Sequence, residues 1–225
     1  MSAAVVEWGL LPYGEALERM RRARRDRAAG RIPDTLFLVR HPPVITVGVQ
    51  GTGGEALPPG LPVFSVERGG KATYHEPGQW VGYPVVDLTP RGRDVRRFVH
   101  DLEEMVVRAM APFGIAASRR PGERGVWVAG PRKLASVGIA VEEWVTFHGF
   151  ALNVQVDLGV FRSFHPCGLD GEVMTSMSRE LGREVTMEEV RAPLLHAWEE
   201  VFGGPVRYAP LVPSALPGPS PAGPS

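Results

Sequence analysis

Apolar residues recur at helical spacing in three stretches of the chain. The first stretch covers residues 12–29, and the second follows Asp94, which suits an N-cap. The third begins at a capping box formed by Thr186 and Glu189 and contains Pro193, where we expect a kink. The inward-facing positions of these helices are Tyr13, Leu17, Met20 and Arg24; Val95, Phe98, Val99, Leu102, Val106 and Met110; and Val190, Leu194, Trp198 and Val201.

Short runs of branched and aromatic residues bounded by Pro or Gly predict strands between these helices. We expect the last two to pair as a hairpin through Glu142 and Glu143. Few helices and many strands, in no regular alternation, indicate an α+β fold with a mixed sheet flanked by helices. The predicted strands are 35–40, 44–48, 63–68, 82–88, 125–128, 134–141 and 145–156.

The length of 225 residues fits one sizeable domain, which we place at residues 1–205. Residues 206–225 are rich in Pro, Gly and Ser, and we expect this tail to be disordered.

Charge and hydrophobicity exclude several classes of protein. The formal net charge is zero, so no general basic field attracts a nucleic acid, and the basic run 19–27 fits the solvated face of a helix. No apolar run reaches the roughly 18 residues of a membrane span, and residues 1–10 lack the pattern of a signal peptide. A single Cys is compatible with a reducing cytoplasm, where we expect this protein.

Rare residue types point to the chemistry. The chain has 25 Lys plus Arg, yet only Lys71 and Lys133 are lysines, and Cys167 is the only cysteine. An amine that transfers protons cannot be replaced by a guanidinium, and a thiol has few substitutes as a nucleophile. Pro166 and Gly168 predict a turn around Cys167, which favours an exposed and reactive thiol. The alternative is a buried thiol that serves only for packing.

A reactive Cys167 needs a nearby cation to hold its thiolate, and Lys133 and His165 are the candidates. Small residues follow Lys133 and leave room for a ligand beside it. The alternative for Lys133 is a solvated amine at a strand end.

Two glycine-rich segments allow close backbone approach. Residues 68–79 place three glycines among polar side chains, which fits either a ligand-binding loop or a solvated hairpin loop. Residues 48–54 lead into a Pro-rich stretch rather than a helix, so they are a loop and neither a P-loop nor a dinucleotide fingerprint. We therefore expect no nucleotide cofactor.

The six histidines do not form a metal-binding motif. They are scattered along the chain, with no HExxH pattern and no paired Cys. His100 and His196 fall on predicted helices and are expected at the surface. We predict no metal site.

Taken together, the motifs resemble those of the octanoyl-[acyl-carrier-protein]:protein octanoyltransferases of lipoate biosynthesis. The matching blocks occur in the family's order and are residues 40–48, 68–88, 125–128, 133–138, 146–154 and 166–168. One departure is Glu76, where the family more often has Gly, which places a carboxylate beside the expected pocket mouth.

The resemblance implies the fold of lipoate and biotin protein ligases and a cytoplasmic acyltransferase without cofactor. It implies transfer of octanoyl from acyl carrier protein to a lysine of the lipoyl domains of 2-oxoacid dehydrogenases and of the glycine cleavage H protein. By the same resemblance Cys167 carries the acyl thioester and Lys133 tunes it. The implied acyl pocket consists of Arg68, Gly69, Gly70, Lys71, Ala72, Thr73, Tyr74, His75, Ser136, Val137, Gly138, Gly149, Phe150 and Ala151.

Three other functions remain open on the sequence. An ATP-dependent lipoate or biotin ligase would not need Cys167. An amidotransferase would use the same thiol with an octanoylated protein as donor. A non-catalytic binding module would bind lipoyl domains without acyl turnover.

Overall fold

The structure is a computed structural model that describes residues 3–52, 56–163 and 171–208. Its strands are β1 Ala4–Leu10, β2 Thr35–Arg40, β3 Val44–Val47, β4 Val63–Ser65, β5 Ala72–His75, β6 Gln79–Val85, β7 Ser118–Arg120, β8 Glu123–Val128, β9 Arg132–Glu142, β10 Val145–Asn153 and β11 Arg207–Tyr208. Its α-helices are α1 Tyr13–Ala28, α2 Val95–Met110, α3 Leu158–Phe161, α4 Met177–Leu181 and α5 Met187–Phe202.

A mixed sheet of eight strands forms the centre of the described chain, in the order β11-β1-β2-β6-β10-β9-β8-β7. Side chains alternate between its two faces, as the pleat requires. On β2, Leu36 and Leu38 belong to the core that α2 and α5 cover, whereas Phe37 and Val39 belong to the core beneath α1. Both faces of the sheet are therefore covered by helices, and the predicted α+β class is confirmed.

A second sheet with the order β4-β3-β5 lies beside the main one. It packs on its own apolar cluster, which includes Ile45, Tyr74 and Phe161. This small sheet brings the end of β3 close to residues 68–71, the glycine-rich connection that leads into β5.

The long helices begin and end close to the predicted positions. Asp94 caps α2 by accepting from the backbone N–H of Arg97, and Thr186 and Glu189 form the predicted capping box of α5. The basic run of α1 lies in ion pairs with acidic neighbours, such as Arg21 with Glu67 at 2.6 Å.

Several strand predictions were incomplete. The sequence pattern predicted none of the strands β1, β5, β7 and β11. In addition, β4 ends at Ser65 rather than at residue 68, and β6 begins three residues earlier than residue 82. The last predicted strand ends at Asn153 rather than at residue 156.

The turn between β9 and β10 is shifted by one residue from the prediction. Glu142 pairs with Val145, so the turn residues are Glu143 and Trp144, with φ angles of 52° and 60°. These left-handed angles are those of the tight hairpin turns that match strand twist. Arg24 of α1 contacts the turn through Glu143 at 2.6 Å and Glu142 at 3.3 Å.

Arg207–Tyr208 pair in parallel with the start of β1, so the main sheet extends past residue 205. The rest of the predicted tail, residues 209–225, lies outside the described residues. Within the described ranges, no helix is long and apolar enough to cross a membrane.

Candidate active site

The Arg-Gly-Gly segment between β4 and β5 forms a loop that its own arginine holds in place. Arg68 is 7% exposed, and its Nη1 donates to the carbonyl oxygens of Gly69 at 3.1 Å and Lys71 at 2.9 Å. Its Nη2 donates to the carbonyl oxygen and to the hydroxyl oxygen of Thr46 on β3, both at 2.8 Å. A planar guanidinium can serve several acceptors at once. Arg68 therefore clamps the loop to β3.

Two further glycines let this loop approach the strands around it. A Cβ at Gly48 would lie 2.4 Å from the carbonyl oxygen of Gly70, and a Cβ at Gly138 would lie 2.9 Å from that of Gly69. The backbone N–H of Gly69 also donates to the carbonyl of Ile139 on β9, at 3.0 Å. Within its described part, residues 48–52, the predicted loop 48–54 therefore supports the loop that follows Arg68. So close an approach requires glycine, which has no Cβ.

Strand β5 divides its side chains between two environments. Thr73 and His75 line a cavity, whereas Ala72 and Tyr74 point to the apolar cluster of the small sheet. This is the alternation of any strand, and it was not expected because β5 was assigned to a loop. The carboxylate of Glu76 accepts from the Tyr74 hydroxyl at 3.1 Å and from the backbone N–H of Asp157 at 2.7 Å.

The cavity lies between the Arg68 loop, β5, β6, β9, β10 and the start of α1. Of the residues implied for the acyl pocket, all line this cavity except Lys71, Ala72 and Tyr74. The lining residues are Tyr13, Arg68, Gly69, Gly70, Thr73, His75, Val81, Tyr83, Ser136, Val137, Gly138, His148, Gly149, Phe150 and Ala151.

Sequence reasoning missed Tyr13, Val81, Tyr83 and His148 of this lining. Tyr13 was assigned to a helix face and Val81 to no element, because nothing local to either residue indicates that α1 and β6 meet at a cavity. Val81, Tyr83 and His148 lay within blocks of the family resemblance, which was the only available signal that they belong to the site.

Of the five histidines in the described part of the chain, three are buried and cluster around this cavity. His41 and His75 have ring centroids 5.9 Å apart, and Tyr83 stands between His41 and His148. Burial lowers the pKa of His41 to about 4 and the pKa of His75 to about 3, so both rings are neutral at pH 7. Because Nδ1 of His41 faces the carbonyl of Leu11 at 2.8 Å it must donate, and Nε2 then accepts from the Tyr83 hydroxyl at 2.7 Å.

His148 is held in a strained conformation in the middle of β10. Its φ is 57°, which is rare for any residue other than glycine, and its backbone N–H donates to the sulfur of Met20 at 3.0 Å. Burial lowers the pKa of the ring to about 4, although Nε2 contacts a carboxylate oxygen of Glu67 at 3.2 Å. Strain of this kind persists only where the surrounding packing enforces it.

Lys133 is buried inside the protein, with only 4% of its surface exposed. Its Nζ lies 5.3 Å from the ring centroid of Trp127, and a Cβ at Gly125 would lie 2.7 Å from its Cε. The alternative of a solvated amine at a strand end is therefore wrong. Packing against an aromatic face and a glycine gives the side chain a defined path.

Cys167 and His165 lie outside the described residues. The chain is described again from Gly171, and it returns to the start of β9 within a few residues. Met174 forms a parallel bridge with Lys133, and the backbone N–H of Thr175 donates to the carbonyl of Lys133 at 3.0 Å.

His100 and His196 are exposed on α2 and α5, as predicted. Among the described residues, no group of three or more His, Cys, Asp or Glu side chains converges in a way that could hold a metal ion.

Comparison with known proteins places this geometry in context. Residues 12–199 match the lipoyl protein ligase A/B catalytic domain family. An octanoyltransferase of Syntrophotalea carbinolica is 44% identical over 198 residues, which cover 88% of this chain and 93% of that protein.

Solved structures share the fold at low sequence identity. Lipoate-protein ligase A bound with ATP matches with a TM-score of 0.74 and 20% identity, over 93% of this chain and 89% of that one. A biotin protein ligase from Aquifex aeolicus matches with a TM-score of 0.52 and 11% identity, over 89% of this chain and 68% of that one. At these identities the likeness concerns the fold alone.

Proposed function

The chain belongs to the lipoyl protein ligase A/B catalytic domain family and is an octanoyltransferase of lipoate biosynthesis, and from this premise we propose how it carries out the transfer. It takes the octanoyl group from octanoyl-acyl carrier protein, holds it as a thioester on Cys167 and passes it to a lysine of a lipoyl domain. The acceptors are the lipoyl domains of 2-oxoacid dehydrogenases and the glycine cleavage H protein. The reaction takes place in the cytoplasm, where a lone thiol stays reduced.

The observation that carries this proposal is the burial of Lys133 beside the segment that follows Cys167. Lys133 is one of only two lysines in a chain that otherwise uses arginine, and it is 4% exposed. It pairs with Met174, which follows Cys167 by seven residues in the sequence. A buried amine paired with this segment is suited to proton transfer in a way that arginine is not.

In the first step the Cys167 thiolate attacks the carbonyl carbon of the carrier thioester. The bond between that carbon and the carrier sulfur breaks, and the departing thiolate takes a proton from the Lys133 ammonium. One thioester replaces another, so the step is near thermodynamic balance.

In the second step the acceptor lysine amine attacks the thioester on Cys167. The new amide bond forms, the Cys167 thiolate leaves, and the amine of Lys133 accepts the proton that the nucleophile releases. An amide is more stable than a thioester, so this step runs downhill without ATP.

The cavity, which Ser136, Val137 and Gly138 of the same strand as Lys133 help to line, serves as the acyl pocket in this proposal. Its walls are the Arg68 loop, apolar side chains such as Val81, Val137 and Phe150, and the neutral rings of His75 and His148. Because these rings are neutral, they bring no charge into the pocket that would need a counter-ion. They therefore suit an uncharged acyl chain better than a charged one.

The test is to mix the purified protein with octanoyl-acyl carrier protein alone and to record its intact mass. We expect an octanoyl adduct that digestion locates at Cys167 and that apo lipoyl domain discharges. The matched control is Cys167→Ala, which should gain no adduct.

Two outcomes would contradict the proposal. The absence of an adduct, together with transfer from free octanoate and ATP, would favour a ligase. Loading of Cys167 from an octanoylated protein amide, and not from octanoyl-acyl carrier protein, would favour an amidotransferase.

A further inference from the structure

Two buried carboxamides lie behind the cavity wall, outside the machinery described above. Gln79 on β6 and Asn153 on β10 are directly paired across the sheet, and each is 1% exposed. The Nε2 of Gln79 donates to the Oδ1 of Asn153 at 2.9 Å. A buried amide without a hydrogen-bond partner destabilises the fold, so every contact of the pair has a structural consequence.

One end of this pair contacts the cavity. The Oε1 of Gln79 lies 3.0 Å from the Nδ1 of His75, and its Nε2 also donates to the carbonyl of Tyr74 at 3.2 Å. His75 lines the cavity directly.

The other end contacts the segment beside Lys133. The Nδ2 of Asn153 donates to the carbonyl of Thr175 at 2.9 Å, and the backbone N–H of Thr175 donates to the carbonyl of Lys133 at 3.0 Å. Thr175 is fully buried. Hydrogen bonds through Gln79, Asn153 and the backbone of Thr175 therefore connect His75 in the cavity wall to the backbone of Lys133.

The direction of this chain is determined by its contacts. A backbone carbonyl can only accept, so Tyr74 and Thr175 require an NH₂ group from Gln79 and from Asn153 respectively. The oxygen of Gln79 is left to face His75, which must then carry its proton on Nδ1. The Nε2 of His75 becomes an acceptor and faces the hydroxyl of Thr46 at 3.5 Å, which itself accepts from Arg68.

We propose that Gln79 and Asn153 are positioning residues of the transfer reaction, which act as one relay between the acyl pocket and Lys133. The relay holds His75 in the Nδ1–H tautomer at the cavity wall and holds the Thr175 backbone against β9. This inference rests on the proposed function, because it takes the cavity as the acyl pocket and Lys133 as the acid and base. Neither carboxamide touches substrate.

Substitutions of nearly equal size separate the relay from simple packing. Gln79→Met keeps the volume but removes the acceptor for His75 and both donors. Asn153→Asp keeps the shape but places a carboxylate against the carbonyl of Thr175. The matched control is Gln155→Met, since Gln155 is exposed and follows β10 by two residues.

The first readout is steady-state kinetics with octanoyl-acyl carrier protein and lipoyl domain. We expect each variant to lower kcat by about 10- to 100-fold, as small misplacements of reacting groups do, with a smaller change in KM. Because the two residues form one relay, the double variant should lose about as much as the worse single variant. Gln155→Met should retain wild-type kcat.

The second readout is the nitrogen-15 NMR signal of His75, recorded without substrate. We expect the proton on Nδ1 in the wild type and on Nε2 in Gln79→Met. A wild-type His75 protonated on Nε2 would overturn the relay. A folded double variant whose loss in kcat equals the product of the two single-variant losses would also overturn it. This measurement needs no turnover, so it remains decisive if a variant fails to fold. A wild type that does not accept octanoyl from the carrier refutes the proposed function instead.

Discussion

At the scale of single residues, the proton-transfer role proposed for Lys133 leads to a sharp prediction. Lys133→Arg keeps the positive charge but has no accessible neutral form, so we expect it to lose nearly all transfer activity. Turnover of octanoyl-acyl carrier protein with lipoyl domain measures this, and circular dichroism establishes that the variant is folded. Turnover near the wild-type rate would eliminate the acid–base role and leave Lys133 as an electrostatic residue only.

Arg68 offers a second prediction at this scale, because its charge is used to build the loop. Arg68→Lys cannot reach the acceptors on Gly69, Lys71 and Thr46 together, so buried carbonyls lose their donors. We expect a loss of about 1–3 kcal/mol in the free energy of unfolding, measured by urea titration. Arg22→Lys is the matched control, since its side chain is 61% exposed, and it should leave stability unchanged. Equal stability of both variants would show that the clamp is dispensable.

At the scale of elements, the contact between the Arg68 loop and β9 depends on a missing side chain. Gly138→Ala places a methyl group 2.9 Å from the carbonyl of Gly69, so the loop or the strand must move. We expect a loss of about 1–3 kcal/mol in unfolding free energy, as for other overpacked sites. Transfer activity should fall in parallel, because the loop lines the cavity.

The control for this prediction is Gly14→Ala. Gly14 lies in α1, and its new methyl group would meet Phe64 at 3.4 Å, an ordinary contact. Replacing a helical glycine by alanine should stabilise the protein by up to about 1 kcal/mol. If Gly138→Ala behaved like Gly14→Ala in both stability and turnover, close packing of the loop on β9 would be refuted.

Two of the strands that sequence reasoning missed, β1 and β5, show where local patterns fail. In β1 the register shifts between Glu7 and Gly9, and this irregularity interrupts the alternation that identifies a strand. In β5 only four residues, Ala72–His75, are extended, and they follow a Gly-Gly pair that indicates a loop. Both strands exist because neighbouring strands supply their hydrogen bonds, and those neighbours are distant in sequence.

At the scale of the whole molecule, the three buried histidines couple folding to pH. Burial lowers the pKa values of His41 and His148 to about 4 and that of His75 to about 3, against 6.5 for an exposed ring. Below pH 6.5 the unfolded chain binds protons that the folded protein rejects, so stability falls as the pH drops from about 6.5 towards 4. If all three rings gain a proton on unfolding, the free energy of unfolding changes by at most ~4 kcal/mol per pH unit.

Urea unfolding between about pH 7.5 and 5 measures this dependence. His41→Gln should reduce the slope by about one third, since one proton of three is removed. Replacing the exposed His196 in the same way should leave the slope as it was. A slope that is zero in the wild type would mean that the histidines are not buried as neutral rings.

Much of the candidate site could be predicted from the chain alone. The bias against lysine singled out Lys133, and the glycine-rich segment pointed to the loop that Arg68 clamps. The sequence could not reveal that Tyr13 and Tyr83 face the same cavity, because they belong to elements 70 residues apart in the sequence whose contact depends on how α1 packs on β6. The sequence also could not separate Thr73 and His75, which line the cavity, from Ala72 and Tyr74, which do not, because β5 was not predicted to be a strand.

The sequence by itself determined the three long helices, most strands, the α+β class and which rare residues are candidates for the chemistry. Each of these depends on spacing, capping or residue type within a short window, and such signals survive without tertiary contacts. Only the tertiary structure decided that three distant histidines share one cluster, that Lys133 is buried against Trp127, and that Gln79 pairs with Asn153. Those relations depend on strand register and helix docking, which are determined by packing between residues far apart in the chain.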